Sequence, residues 1–340
     1  MMRTFRKVLV VTALMLGALP VFGQGEMPPL PGEALLSDVG SPRGISVDAD
    51  GNLIVAIAGT GGDLMIESTG PDGSVMPFSA GMTGSIVSIA PDGTVTELLS
   101  GIPSYAAPQE TLGAYRAYRV EETLWVLYSL VPGAVNSNMI IQYDLATTRP
   151  VTTITLNGFE LANNPDGNEI DSNVADIAWL DDGTMLIVDA GANALLTWTA
   201  DDGLALVTAW PENSVPTSVE VDANGDLWIG FLGAGLAPGA GKIEHWSNGE
   251  IVETYEGLNA VTDILLTDDG VLAVELVRFG EQGPGAGGVV RVNADGVSPV
   301  VDGLIAPFSA VQTADGSLAI THGTVAFAPG MLGGVVRVGQ

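Results

Sequence analysis

Short apolar runs alternate with polar positions along most of the chain, and they come in pairs across an Asp/Asn-Gly turn. The phrase stands as GISVDADGNLIVAIA (44–58), DIAWLDDGTMLIVDA (176–190), SVEVDANGDLWIGF (218–231), DILLTDDGVLAVEL (263–276) and SAVQTADGSLAIT (309–321). Period-two alternation bounded by such turns predicts β-hairpins. Gly and Asn suit two-residue hairpin loops because they tolerate positive φ. The turn glycines Gly183, Gly225, Gly270 and Gly316 are spaced by 42, 45 and 46 residues. A hairpin repeat with a period in the forties predicts a β-propeller.

Each unit reads as four strands. The plainest is the third, with VADIAWL (174–180), TMLIVDA (184–190), ALLTWT (194–199) and LALVTAW (204–210). The others run from about Ser41 to Ser100, Tyr115 to Leu156, Val215 to Glu256 and Asn259 to Asp302, with a last unit from Ile305 that has only three strands. The second unit is degenerate and carries Glu121-Glu122 in place of its first glycine turn. ALLSDVGSPRG (34–44) matches the strand-and-link segments ELLSGIPSYA (97–106) and VVDGLIAPFSA (300–310). The N-terminal strand is therefore expected to complete the last blade and close the ring, removing the exposed edges. The predicted fold is all-β, a six-bladed β-propeller of four-stranded antiparallel blades, forming one domain over 34–340.

Composition adds the compartment. Arg3, Arg6 and Lys7 precede an apolar run from Val8 to Leu19, and small residues follow at Val21-Phe22-Gly23. This order predicts a secretory signal peptide over 1–23, a short linker over 24–33 and a secreted product, extracellular or periplasmic. Such a mature chain keeps eight basic residues, Lys242 its only lysine, against all 40 acidic ones, a formal charge of −32. Nucleic acid and anionic lipid are disfavoured partners for that surface. With no cysteine, stability must come from the core, and thiol chemistry is excluded.

Insertions mark where to look for function. The two hairpin turns of a unit lie 20 residues apart in the third, 24 in the fourth, 26 in the fifth and 42 in the first. That growth falls between second and third strands, on the face that also carries the long link 156–173 to the third unit. Loops held by a rigid scaffold are where function tends to sit.

Several stretches resemble the ScyD/ScyE family of exported propeller proteins: 158–196 with its NNPDG, DSN and VDAG elements, AGTGGD (58–63), TGSIVSIAPDGTVTELLSGIPSYA (83–106) and LAPGAGKIEHW (236–246). The family's usual Pro after DSN is Val174 here. The resemblance implies a propeller and export, and it supplies no reaction.

Two residue sets stand out as candidate chemistry. Asp171, Asn173, Asp189, Asn259 and Glu275 fall at inner-strand starts and second-strand ends, where they could converge on a central funnel. Carboxylate and amide oxygens suit Ca²⁺, and the competing reading is that Asp171 and Asn173 pin a loop by backbone hydrogen bonds. Tyr105, Tyr115, Arg116, Arg119 and His322 are the candidates for a ligand on the loop face, where a small molecule, a glycan or a protein would bind. His245 reads as a packing residue beside Trp246, and Trp179, Trp198, Trp228 and Trp246 as filling between blades. The leading expectation is a non-catalytic, monomeric binding protein. The alternative is a metal-dependent hydrolase of the gluconolactonase type, weakened because Ser41-Pro42-Arg43 stand where that class has its Glu ligand. A quinone-cofactor oxidoreductase would need more His and basic residues.

Overall fold

The structure, a computed structural model, describes residues 29–69, 75–108, 110–129, 138–280, 283–325 and 331–339. The signal segment and the start of the linker lie outside the described residues. Among the described residues the chain is all-β in a propeller arrangement, with one seven-residue helix, Asn157–Asn163, and a short 3-10 turn at Ala234–Leu236.

Four four-stranded antiparallel sheets stand apart as blades. Three follow chain order: Val174–Trp179, Met185–Asp189, Ala194–Thr199 and Gly203–Ala209; then Pro216–Val221, Leu227–Phe231, Gly241–Ser247 and Glu250–Leu258; then Val261–Thr267, Gly270–Glu275, Gly287–Asn293 and Gly296–Leu304. The fourth combines both ends of the described chain. Glu33–Val39 pairs with Gly333–Val338, which continues through Leu318–His322 to Ala310–Gln312.

The remaining strands correct the expectation of six separate four-stranded blades. Nine of them form one sheet that runs from Pro42–Val47 to Arg149–Thr155, and Arg278–Gly280 pairs with Gly283–Gly285 in a separate two-stranded ribbon. The first two units merge because Val95–Ala107 outlasts its own blade and pairs directly with the next inner strand, Glu110–Val120, through Tyr105↔Leu112 and Ala107↔Glu110. The insertion in the first unit contains a strand, Leu64–Thr69, folded back on the long strand Val75–Ile89.

The repeated turn also differs in detail from a two-residue loop. Gly183 N–H donates to Leu180 O at 2.9 Å and Leu180 N–H to Thr184 O at 2.9 Å, with Gly183 at φ 84°. This is a three-residue loop, a type I turn closed by a left-handed glycine, so one residue per turn needs positive φ. The acidic residues serve the same turns. Asp48 Oδ1 accepts N–H groups from Asp50 and Asn52, and Asp222 Oδ1 from Asn224 and Asp226.

Apolar seams fill the spaces between neighbouring sheets. Ile177, Met185 and Ile187 pack on Trp125, Leu127 and Ile140, while Ile243 and Leu258 pack on Val261 and Ile264. Val311, Ala319 and Val335 pack on Ile45, Val55 and Ile89. Tryptophans finish the seams as expected for filling residues: Trp125 lies edge-on to Trp179 and Trp198, at 6.2 and 6.1 Å between ring centres.

Candidate functional site

Five innermost strands share a local irregularity near the centre of the molecule. Their pairing with the second strand slips between Pro42 and Ile45, Ala114 and Arg116, Val174 and Asp176, Pro216 and Ser218, and Val261 and Asp263. A β-bulge inserts one extra residue, bends the strand and re-aims side chains. The residues just past the slips meet at the axis, and the bulged Tyr115, Thr217 and Thr262 line a funnel above them.

The axial hub is a buried polar network. Arg116 lies 2.8 Å from Asp263 and 3.5 Å from Asp176, all three side chains being buried. Burial pulls the Arg116 pKa down, but Asp176 and Asp263 outweigh it and hold the guanidinium firmly charged. Around it the contacts pass from one inner strand to the next. Asp176 accepts Val219 N–H at 3.0 Å, Ser218 Oγ accepts Ile264 N–H at 3.3 Å, and Asp263 accepts Ala310 N–H at 3.0 Å. Ser309 Oγ accepts Ile45 N–H at 3.2 Å, Ser46 Oγ donates to Ala117 O at 2.7 Å, and Arg116 Nε donates to Ala175 O at 3.1 Å. Tyr118 donates to Asp176 as well. Gly44 makes room for this: a Cβ there would sit 2.3 Å from Arg116 Cγ.

The funnel has a free volume of about 50 Å³ and mostly apolar walls, among them Leu112, Leu232, Leu276 and Phe308. Left-handed residues stand just before the inner strands, Ser41, Val215, Ala260 and Ala306, at φ between 42° and 56°. Left-handed backbone costs an L-residue roughly 1–2 kcal/mol, and such strain collects at ligand sites. Their carbonyls accept the N–H groups of Ala58, Leu232, Leu276 and Thr324.

Three lining residues carry polar atoms sealed from solvent and without a hydrogen-bond partner: Glu110 Oε2, Asn173 Oδ1 and Thr324 Oγ1. Burial pushes the Glu110 pKa up to about 8, against the pull of Arg43. Arg43 donates to Thr111 O at 2.8 Å and rests over the Tyr115 and Phe308 rings, at 5.7 and 5.3 Å from their centres. Such a wall offers apolar contact plus a few hydrogen-bonding groups, the usual make-up of a small-molecule site.

The residues singled out from the sequence scatter over several places. Tyr115 and Asn173 line the funnel. Arg116 is consumed by the hub below it. Arg119 pairs with Asp48 at 3.0 Å, beside the Asp48–Asn52 turn. Tyr105 sits where the first two units fuse. His322 ends its strand opposite Gly334, its pKa lowered by burial.

The five metal candidates separate into two groups, each with internal bonding. Asp189 Oδ1 accepts N–H groups from Asn173, Gly191 and Ala192 at 2.7, 3.1 and 3.1 Å. Glu275 Oε1 accepts Asn259 N–H at 2.8 Å, and its Oε2 accepts Arg278 Nε at 2.7 Å. Asp171 lies in the link before the third blade, half-buried, its pKa pushed up to about 7 by burial and by Asp189. Among the described residues, Asp222, Asp226 and His245 are the trio of His and acidic side chains whose ligand atoms come within 4.8 Å of one another. His245 also stacks on Trp228 at 3.9 Å. Glu110 escaped the sequence reading because nothing distinguishes it from an ordinary polar residue in a link.

No protein-family model matches the sequence, and no curated protein matches it. Solved structures do. A glucose dehydrogenase shares 10% identity at a TM-score of 0.56, over 91% of this chain and 99% of its own. An oxidoreductase described as a glucose dehydrogenase, from Thermus thermophilus, shares 12% identity at 0.55, over 90% and 98%. A streptogramin B lyase shares 15% at 0.49, over 92% and 96%. At these identities the likeness concerns the fold alone, and it is that of β-propellers.

Proposed function

We propose that this chain is an exported, monomeric binding protein, a closed six-sector propeller whose axial funnel takes the apolar end of a small neutral molecule. One observation carries the binding reading: an apolar funnel at the axis in which Glu110 Oε2, Asn173 Oδ1 and Thr324 Oγ1 are buried without partners. A buried polar group left unpaired costs roughly 1–3 kcal/mol, so a ligand that supplies the partners recovers that cost. Burial pushes the Glu110 pKa up to about 8, which favours the protonated form, a hydrogen-bond donor suited to a carbonyl or hydroxyl oxygen. A free volume of about 50 Å³ accommodates one end of a ligand, well below the roughly 300 Å³ of pockets that enclose a drug-sized molecule.

Six sectors are supported by the cycle of cross-strand hydrogen bonds at the hub, which visits six inner strands and returns to its start. In this reading the nine-stranded sheet is two fused sectors, and Glu33–Val39 closes the last one. Export rests on the N-terminal basic and apolar order and on the ScyD/ScyE resemblance. No helix among the described residues is long and apolar enough to cross a membrane. The hydrolase alternative gains nothing from Asp189 and Glu275, whose oxygens are engaged by their own loops.

The test is ligand-observed NMR with small phenols, cyclic ketones and lactones, on the mature chain and on Thr262→Leu, which fills the funnel. Saturation transfer is expected with the parent and lost in the variant at an unchanged melting temperature. Equal transfer to both would place binding elsewhere. Lactone turnover would favour the hydrolase.

A further inference from the structure

In the link before the third blade an acid is buried while Leu161 and Ile170 are exposed. In the helix Asn157–Asn163 the buried residue is Glu160, 1% exposed, while Leu161 beside it is 73% exposed. Both Glu160 carboxylate oxygens are sealed and have no hydrogen-bond partner; the Asp171 backbone N–H faces the group without a bond of normal geometry. Asn164, one turn further on, sits in left-handed backbone with its Oδ1 likewise sealed and unpartnered. Its backbone N–H bonds back to Glu160 O at 2.8 Å, which fixes the two residues one turn apart.

The surroundings are uniformly acidic. Asp189, Asp166 and Asp171 all act electrostatically on Glu160. Neither they nor Glu160 belong to any ion pair among the described residues. Asp166 and Asp189 are already oriented. Asp166 accepts Asn168 N–H at 2.8 Å and Asn193 Nδ2 at 2.8 Å, and Asp189 holds three backbone amides. Burying an ionised carboxylate without a partner costs several kcal/mol. A proton removes the charge but adds an O–H donor that itself needs an acceptor. A cation satisfies the free oxygens together.

We propose that this link holds a hard divalent cation, Ca²⁺ by its all-oxygen donors, with Glu160 as the central ligand and Asp171 and Asn164 Oδ1 beside it. Calcium takes six to eight oxygens in flexible geometry, which suits a loop of carboxylates, amides and carbonyls. Asp166 and Asp189 supply negative field rather than free ligand atoms. The cation pins the link from Asn157 to Asn173, whose last residue lines the funnel, so it orders one wall of that site. The cation site stands on Glu160 and its neighbours, whatever the funnel binds.

The experiment is calorimetric titration of the mature, chelator-treated chain with CaCl₂, with melting curves in parallel. One binding event and a rise of several degrees in melting temperature are expected, since a ligand of the native state stabilises it by mass action. Glu160→Gln abolishes both effects, and Asn164→Ala and Asp171→Asn each weaken binding by roughly tenfold or more. Glu275→Gln and Asp226→Asn, in the other two acidic groups, leave binding intact. If Glu160→Gln fails to fold, the Asn164 and Asp171 variants carry the same reading. The proposal is overturned if calcium neither binds nor stabilises, or if binding survives in all three loop variants. It is equally overturned if Glu160→Gln leaves the melting temperature unchanged in a chain indifferent to calcium, because the carboxyl would then be a protonated structural group.

Discussion

At the residue scale the decisive feature is parity. In a regular strand Arg116 and Arg119 lie on opposite faces, and nothing in RAYR says which face meets the axis. The slip between Ala114 and Arg116 settles this by shifting the alternation by one, and a bulge has no sequence signature of its own in this chain. Arg116 therefore read as a ligand group, whereas the structure places it between Asp176 and Asp263. Arg116→Met leaves two buried carboxylates without their counter-charge. It is expected to cost about 3–5 kcal/mol, the usual loss on breaking a buried pair, measured by urea denaturation. Arg116→Lys should recover only part of this, since one ammonium cannot replace a fork that reaches Ala175 O, Thr262 O and Asp263 together. A loss within about 1 kcal/mol, that of an ordinary surface pair, would show that the hub carries little stability.

At the element scale, what repeated was legible and what happened once was not. Strands of the third blade fall within a residue of their predicted limits, because alternation and the Asp-Asp-Gly turns fix both ends. The fusion of the first two units depends on one strand continuing past its blade, and alternation continues unchanged through the junction. Glu160 was within reach: an acid one turn after Leu156 in LNGFELAN breaks the apolar face of a short helix. The strand Glu33–Val39 was legible because it copies the outer-strand pattern of other units, and it pairs with Gly333–Val338. Deleting Ala34–Val39 strips that partner and leaves an unpaired edge, which invites association with another chain. A fall of many degrees in melting temperature and concentration-dependent aggregation are expected, read by calorimetry and light scattering. An unchanged melting temperature would mean that the last sector stands without its fourth strand.

At the scale of the whole molecule, the acidic composition and the buried acids set the response to pH. Burial pushes the pKa of Glu110 to about 8, and burial with Asp176 and Asp263 pushes Glu220 to about 8. Both lie above the value of an unfolded glutamate, so the native state retains protons that the unfolded chain releases. Their contribution is fully present below the unfolded pKa and is lost as pH rises through about 8. Turn acids work in the opposite sense. Burial raises the Asp48 pKa, but hydrogen bonds from the Asn52 side chain and backbone outweigh it, so its stabilisation disappears on acidification. Stability is therefore expected to peak in mildly acidic solution and to decline between about pH 5 and about pH 9. Self-repulsion among surface acids predicts a similar decline, and salt separates the two, because exposed charges are screened and buried ones much less so. At high salt the slope should persist in the parent chain and flatten in Glu110→Gln and Glu220→Gln, with urea midpoints as the readout. A slope that vanishes with salt in the parent would assign the whole effect to the acidic coat and none to the funnel and hub.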